Sequence, residues 1–287
     1  MAVDQQVLTQ QLAGLDALEE SQGRRRITAG QLWRKTWPKL AALALALVLW
    51  QLVVESGWRE EYVLPAPATV LAKLGEIVTT NSFWAGVGVT ARRAAVGFGL
   101  AVVVGGFVGA LVATIRPLRV AVGALITGLQ TMPSIAWFPL AILLFQLSEG
   151  AITFVVVLGA APSIANGLIG GIDHVPPILV RAGRMLGAKG PTLFRHVILP
   201  AAMPSCLAGL KQGWAFAWRS LMAGELLVLL GVPSIGARLQ AGREFSDAPL
   251  LLAMMIVVLV IGIVVDGLFG MADHRLRRRR GLVDTAT

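Results

Sequence analysis

Polar and apolar residues fall in long blocks along this chain. Residues 94–115, 120–147 and 151–172 contain no charged side chain at all. Residues 250–265 are apolar throughout and continue to Gly270 past one acid, Asp266. The block 40–54 is shorter, but Trp37, Lys39 and Trp58 supply interfacial flanks. Residues 199–230 are apolar except for Lys211, Arg219 and Glu225. A helix rises about 1.5 Å per residue and the bilayer core is about 30 Å thick, so roughly 20 apolar residues cross it. The blocks therefore predict six transmembrane helices and an all-α membrane protein. A membrane barrel would instead alternate over ten-residue segments, and these blocks do not. The first block begins behind a long polar leader, so it reads as an uncleaved span despite the alanine-x-alanine spacing in 41–50.

The connections divide the chain into a cytoplasmic leader (1–39), a six-helix domain (40–270) and a basic cytoplasmic tail (271–287). In the leader, Leu8, Leu12, Leu15 and Leu18 recur at helical spacing. They fit a short amphipathic helix or a frayed tail equally well. In 63–78, Pro65 and Pro67 stiffen the entry. Val70, Leu71, Leu74 and Ile77 then form one face of a helix lying along the outer interface. The third block contains Met132-Pro133 and Pro139. Proline cannot donate a backbone hydrogen bond and disfavours helix at the residue before it. Broken backbone inside a membrane lines a cavity or is buried in protein. This span is thus a wall of a translocation path, or a kinked helix. The stretch 173–204 is the longest polar connection between spans. A helix over 177–186 stopping at Gly187, then another over 191–198 with proline in its first turn, would make a compact knob.

Composition agrees with the blocks: 56% of residues are hydrophobic and 14% charged, against roughly 45–50% and about 25% in soluble domains. The net charge of +9 could point to nucleic acid, but its distribution argues otherwise. Arg24, Arg25, Arg26, Arg34, Lys35 and Lys39 fall on one side, followed by Arg116 and Arg119, then Arg181, Arg184, Lys189 and Arg195. Arg275, Arg277, Arg278, Arg279 and Arg280 complete that side. The positive-inside rule puts both termini in the cytoplasm of a multi-pass inner-membrane protein. The terminal arginines then act as an anchor on anionic lipid, with no nucleic-acid partner. The single cysteine, Cys206, excludes an internal disulfide. His174, His196 and His274 are dispersed, so no metal site or catalytic constellation is expected. Gly187-Ala188-Lys189-Gly190 lacks the upstream glycine and the following serine or threonine of a phosphate loop.

Charge at bilayer depth costs about 2.5–3.5 kcal/mol on insertion scales. Lys211 lies near the cytoplasmic end of its block and can snorkel. Arg219 lies near mid-span, and Glu225 is about 240° further round the helix. They are not same-face partners. Each needs another helix, a second copy of the chain, or water. Arg219 is then a counter-charge for an anionic substrate or one half of a buried pair. Trp214 and Trp218 on neighbouring turns shape the same cavity or pack in the core.

The knob resembles the EAA loop of bacterial ABC importer permeases: Glu-Ala-Ala, three residues, Gly, nine residues, an aliphatic, one residue, Leu-Pro. Here Arg181-Ala182-Gly183 is followed by Gly187, Val197 and Leu199-Pro200. Arg181 stands where the family has glutamate, and Gly183 replaces the second alanine. Leu64-Pro65-Ala66-Pro67 is similar to the Leu-Pro-x-Pro of the sulfonate, taurine and nitrate branch. Met132-Pro133-Ser134-Ile135-Ala136-Trp137-Phe138-Pro139-Leu140 is similar to the Pro-x-x-Ala-Trp-x-Pro-Leu of that branch's third span, and Ala217-Trp218-Arg219 with Ala223-Gly224-Glu225 look like its fifth. The resemblance implies a type I permease fold and a homodimer bound to two ATPase subunits, which hold ATP and Mg. An extracytoplasmic binding protein would deliver the substrate. It implies no cofactor on this chain and no enzyme activity of its own. It assigns ATPase coupling to Arg181, Ala182, Gly183, Arg184, Leu186, Gly187, Ala188, Leu199 and Pro200. Met132, Pro133, Trp137, Trp218, Arg219 and Glu225 would line the path. The implied cargo is a small anion, an aliphatic sulfonate or taurine, with nitrate, bicarbonate or a vitamin precursor as alternatives. A secondary carrier would need inverted repeats, and the break at Pro133 has no counterpart in the second half. A membrane-embedded enzyme would need paired catalytic residues, which are not visible.

Overall fold

A computed structural model describes residues 29–279. The leader's leucine periodicity lies outside the described residues. Helix α1, Ala29–Glu55, begins well before the apolar block and carries Pro38 inside it. It belongs to a unit of its own that ends at Arg59. Leu43, Leu45, Val48, Leu49 and Leu52 are exposed on it.

The second unit holds the other elements. Helix α2, Pro67–Val78, has proline at its start and buries Val70 and Ile77. Helix α3, Asn81–Thr114, is capped by Thr80, whose hydroxyl accepts from Phe83 N. It starts thirteen residues before the uncharged block, so Arg92 and Arg93 lie inside a helix and not in a connection. The third block breaks as expected. Helix α4, Arg116–Thr131, ends at Met132-Pro133; a 3-10 turn, Ser134–Trp137, leads into α5, Phe138–Phe145. The two arms, Pro117–Thr131 and Ser134–Phe145, bend by 104°. Helix α6, Glu149–Asp173, continues through Pro162. Then come α7, Pro177–Met185, a short turn α8, Gly190–Leu193, and a π turn, Phe194–Ile198. Helix α9 is Leu199–Leu227, α10 is Ile235–Glu244 and α11 is Ala248–Arg279. Among the described residues, five helices are long and apolar enough to cross a membrane, and the bent pair supplies a sixth crossing if it counts as one span. The described residues contain no strand.

Lipid tails are as apolar as leucine, so helices inside a bilayer associate by close packing rather than by escaping water. Small residues make that possible here. On α3, Gly97, Ala101, Gly105 and Gly109 recur every four residues and form one stripe. A Cβ at Gly105 would lie 2.5 Å from the Ala161 carbonyl oxygen, and one at Gly109 would lie 2.9 Å from Ala165 Cα. On the other face of α6, a Cβ at Gly209 would lie 2.6 Å from Gly167 Cα. Helix α6 is therefore held between α3 and α9, backbone against backbone.

The second half of the knob departs from expectation. It does not close as a separate helix at Ile198 but runs through the π turn into α9. Pro200 has no amide hydrogen to offer the His196 carbonyl, which accounts for the widened turn.

Candidate functional site

The knob forms as its glycine predicts. Gly187 has φ +84°, a left-handed conformation that side chains disfavour. Gly187 N donates to Arg184 O and Ala188 N to Gly183 O, both at 3.0 Å. This is the paired pattern that closes a helix with a left-handed glycine. Gly183 has a packing reason: a Cβ there would lie 2.8 Å from Leu193 Cδ1 and 2.9 Å from Val197 Cγ2. It seats α7 on the segment that becomes α9. Leu199 and Pro200 are half-buried in that continuation, and Ala188 is half-buried beside the turn. Arg181, Ala182 and Arg184 are exposed, while Met185 and Leu186 are each 88% exposed. Two bare apolar side chains flanked by two arginines at the tip of a polar connection form a surface built for a partner.

At the opposite end of α6, a buried ion pair ties three elements together. The Glu225 carboxylate accepts from Arg93 Nη1 at 2.9 Å, from Gly236 N at 3.0 Å and from Thr90 Oγ1 at 2.9 and 3.1 Å. Thr90 Oγ1 in turn accepts from Ile235 N at 3.0 Å. Arg93 also reaches Glu149 at 3.3 Å, and Arg92 meets the same carboxylate at 2.9 Å. Gly236 is required here, since a Cβ on it would lie 2.2 Å from Glu225 Cβ. Glu149 opens α6, so this cluster sits at the end of the span and not at its centre. Glu225 is 1% exposed. The resemblance placed Glu225 on the path; here its carboxylate is buried and held by Arg93, Thr90 and Gly236.

The other charges of the fifth span have different settings. Lys211 pairs with Asp266 of α11 at 3.0 Å, with both side chains about half exposed. Arg219 is exposed. Its neighbour Ser220 packs against Gly159, near the middle of α6. The Arg219 guanidinium lies 5.8 Å from the Phe216 ring centroid, and no carboxylate among the described residues reaches it. Trp218 is half-buried and stacks on Trp214, with centroids 6.1 Å apart. Met132 and Pro133 are exposed at the break, and Trp137 is half-buried. Gln130, just before the break, donates to Ser163 Oγ at 2.6 Å and accepts from Asn166, which fixes the break to α6.

Residues 97–278 match the family model of the binding-protein-dependent transport system inner membrane component. The chain belongs to this family. Its relatives place it among ABC importer permeases of the sulfonate, taurine and nitrate branch. The protein named for aliphatic sulfonate transport in Bacillus subtilis, SsuC, is 27% identical over 92% of this chain and 93% of its own. The taurine transport system permease protein TauC of Escherichia coli is 26% identical, covering 86% and 91%. The nitrate import permease protein NrtB of Synechocystis is 29% identical, covering 78% and 83%. The inward-facing MetNI methionine ABC transporter shares the fold at 24% identity and a TM-score of 0.55, covering 69% of this chain and 95% of that one.

The permease is thus a multi-pass inner-membrane component of a machine that also contains an ATPase and a binding protein. Sequence reasoning missed Arg93, Thr90 and Gly236. The signal for Arg93 was present: Glu225 lacked a same-face partner, and a basic residue bordering an uncharged block of another span is where such a partner is found.

Proposed function

We propose that this permease moves a small organic anion, an aliphatic sulfonate or taurine, inward across the membrane, with Arg219 as the counter-charge on the path. The observation that carries this reading is an exposed, carboxylate-free arginine at mid-span. An arginine left there needs an anion, water or a second chain to balance it. The substrate class follows relatives named for sulfonate and taurine; the relative named for nitrate supplies the alternative cargo. Two copies of the chain enclose the path, since six helices present too little surface to surround a polar solute. Both termini and the knob lie in the cytoplasm, where the basic connections fall. Two ATPase subunits dock on the knob and hold ATP and Mg, and the binding protein docks at the Glu225 end.

The test is ATP-driven uptake of radiolabelled taurine and alkanesulfonates by the reconstituted complex. Arg219→Ala is expected to lower uptake at least tenfold with ATPase copurification unchanged. Arg219→Lys recovers part of it, because lysine keeps the charge but not the planar fork. Full uptake by Arg219→Ala would remove Arg219 from the path. Failure of that variant to assemble would assign it to the interface between copies.

A further inference from the structure

We propose that the cavity between α9, α10 and the 3-10 turn binds an anion that has an aliphatic tail, with Arg243 holding the head group, and that it discriminates against inorganic oxyanions. This deepens the transport reading above and rests on it. The cavity has a volume of about 670 Å³, within the range of about 300–1,000 Å³ usual for small-molecule sites. Ile135, Ala223, Leu226, Leu239 and Met255 are among the apolar groups lining it, and Arg243 is the only cation among the described residues that line it. Ala223 lies one helical turn beyond Arg219 on α9, so the cavity continues the face that carries the mid-span charge. Ile135 brings the broken span into the same wall.

Arg243 is exposed, and its guanidinium has no hydrogen bond or ion pair among the described residues. The neighbouring carboxylate, Glu244, accepts from Gln240 Nε2 at 2.9 Å. The guanidinium presents a planar fork suited to two oxygens of a sulfonate or carboxylate. An inorganic oxyanion would satisfy that fork but leave the apolar wall facing water. An alkyl tail covers the wall. Each methylene buried there strengthens binding about fourfold. Recognition by charge at one end and by apolar area at the other separates organic from inorganic anions without any further polar contact.

The experiment is isothermal titration of the full chain in lipid nanodiscs with 1-butanesulfonate, methanesulfonate and nitrate. Butanesulfonate is expected to bind at least tenfold more tightly than methanesulfonate and nitrate. Arg243→Gln should weaken both sulfonates about tenfold, with Arg243→Lys intermediate. Leu226→Ser should narrow the ratio between the two sulfonates. Equal affinity for butanesulfonate and nitrate, or undiminished binding by Arg243→Gln, overturns the proposal. The arms are separable from the transport reading. Loss of uptake selectivity with binding at Arg243 intact counts against the path through Arg219 alone. Normal uptake with no tail dependence counts against the cavity alone.

Discussion

The Arg93–Glu225 pair offers a direct measure of what holds the Glu225 end of the bundle. Removing one partner of a buried pair strands the other charge, at a cost of about 3–5 kcal/mol. Arg93 keeps a share of Glu149 at 3.3 Å, which puts Glu225→Gln at the lower end, about 3 kcal/mol. The glutamine still offers an oxygen to Gly236 N and Thr90, so the loss isolates the charge rather than the hydrogen bonds. Arg93→Met should cost a similar amount, because it leaves the Glu225 carboxylate buried with only neutral donors. The double variant has no stranded charge. Its cost should fall short of the sum of the singles by about 2–3 kcal/mol, at the high end of the coupling seen for residues in direct contact. Equilibrium unfolding of the purified permease in mixed micelles, followed by tryptophan fluorescence, gives all three values. Strict additivity within about 0.5 kcal/mol, or a Glu225→Gln variant as stable as the parent, would refute the assignment of a coupled buried pair.

Three further outcomes are expected. Gly209→Leu forces α9 away from α6, where only 2.6 Å separates a Cβ at that position from Gly167 Cα; folded yield after detergent extraction should collapse, and normal yield would show that the helices part freely. Gly187→Val places a β-branched residue at φ +84°, a strain of about 1–3 kcal/mol, and should detach the ATPase or uncouple hydrolysis from uptake while the spans stay folded. In the same copurification assay Arg181→Glu should weaken ATPase docking, because a partner surface that meets an arginine is expected to be acidic; stronger docking would reverse that inference.

Much of the architecture is legible because a bilayer imposes a length on every apolar block. The break at Met132-Pro133 and the turn at Gly187 are legible for a related reason: proline and glycine state their backbone preferences locally. What stays hidden is what depends on a second helix. Gly97, Gly105 and Gly109 look like ordinary members of an apolar run until Val156, Ala161 and Ala165 are seen against them. Thr90 reads as a polar residue on an exposed stretch until it is found between Glu225 and Ile235. The helix register of α9 called for separate partners for Arg219 and Glu225, yet it could not name Arg93, because periodicity gives direction around a helix and not the neighbour it meets. The π turn was unreadable too: Pro200 at the start of a helix is as compatible with a fresh start as with a widened continuation.

The glycine contacts have a mechanical meaning. Side chains bend and change rotamer, but touching backbones leave nothing to compress. Helices α3, α6 and α9 therefore form one plate, bolted at one corner by Arg93 and Glu225. The knob is welded to that plate, because the π turn carries it into α9 without a joint. The bent pair is attached differently, by the side chains of Gln130, bonded to Ser163 and Asn166, and of Phe138, whose ring lies against Gly224, and side chains can give. A stroke delivered to the knob therefore displaces the plate as a whole and is taken up along its seam with the bent pair. Ile135 stands on that seam, facing Ala223 and Leu226. The expected working part is thus a seam that opens and shuts against a stiff plate, and not a span that flexes.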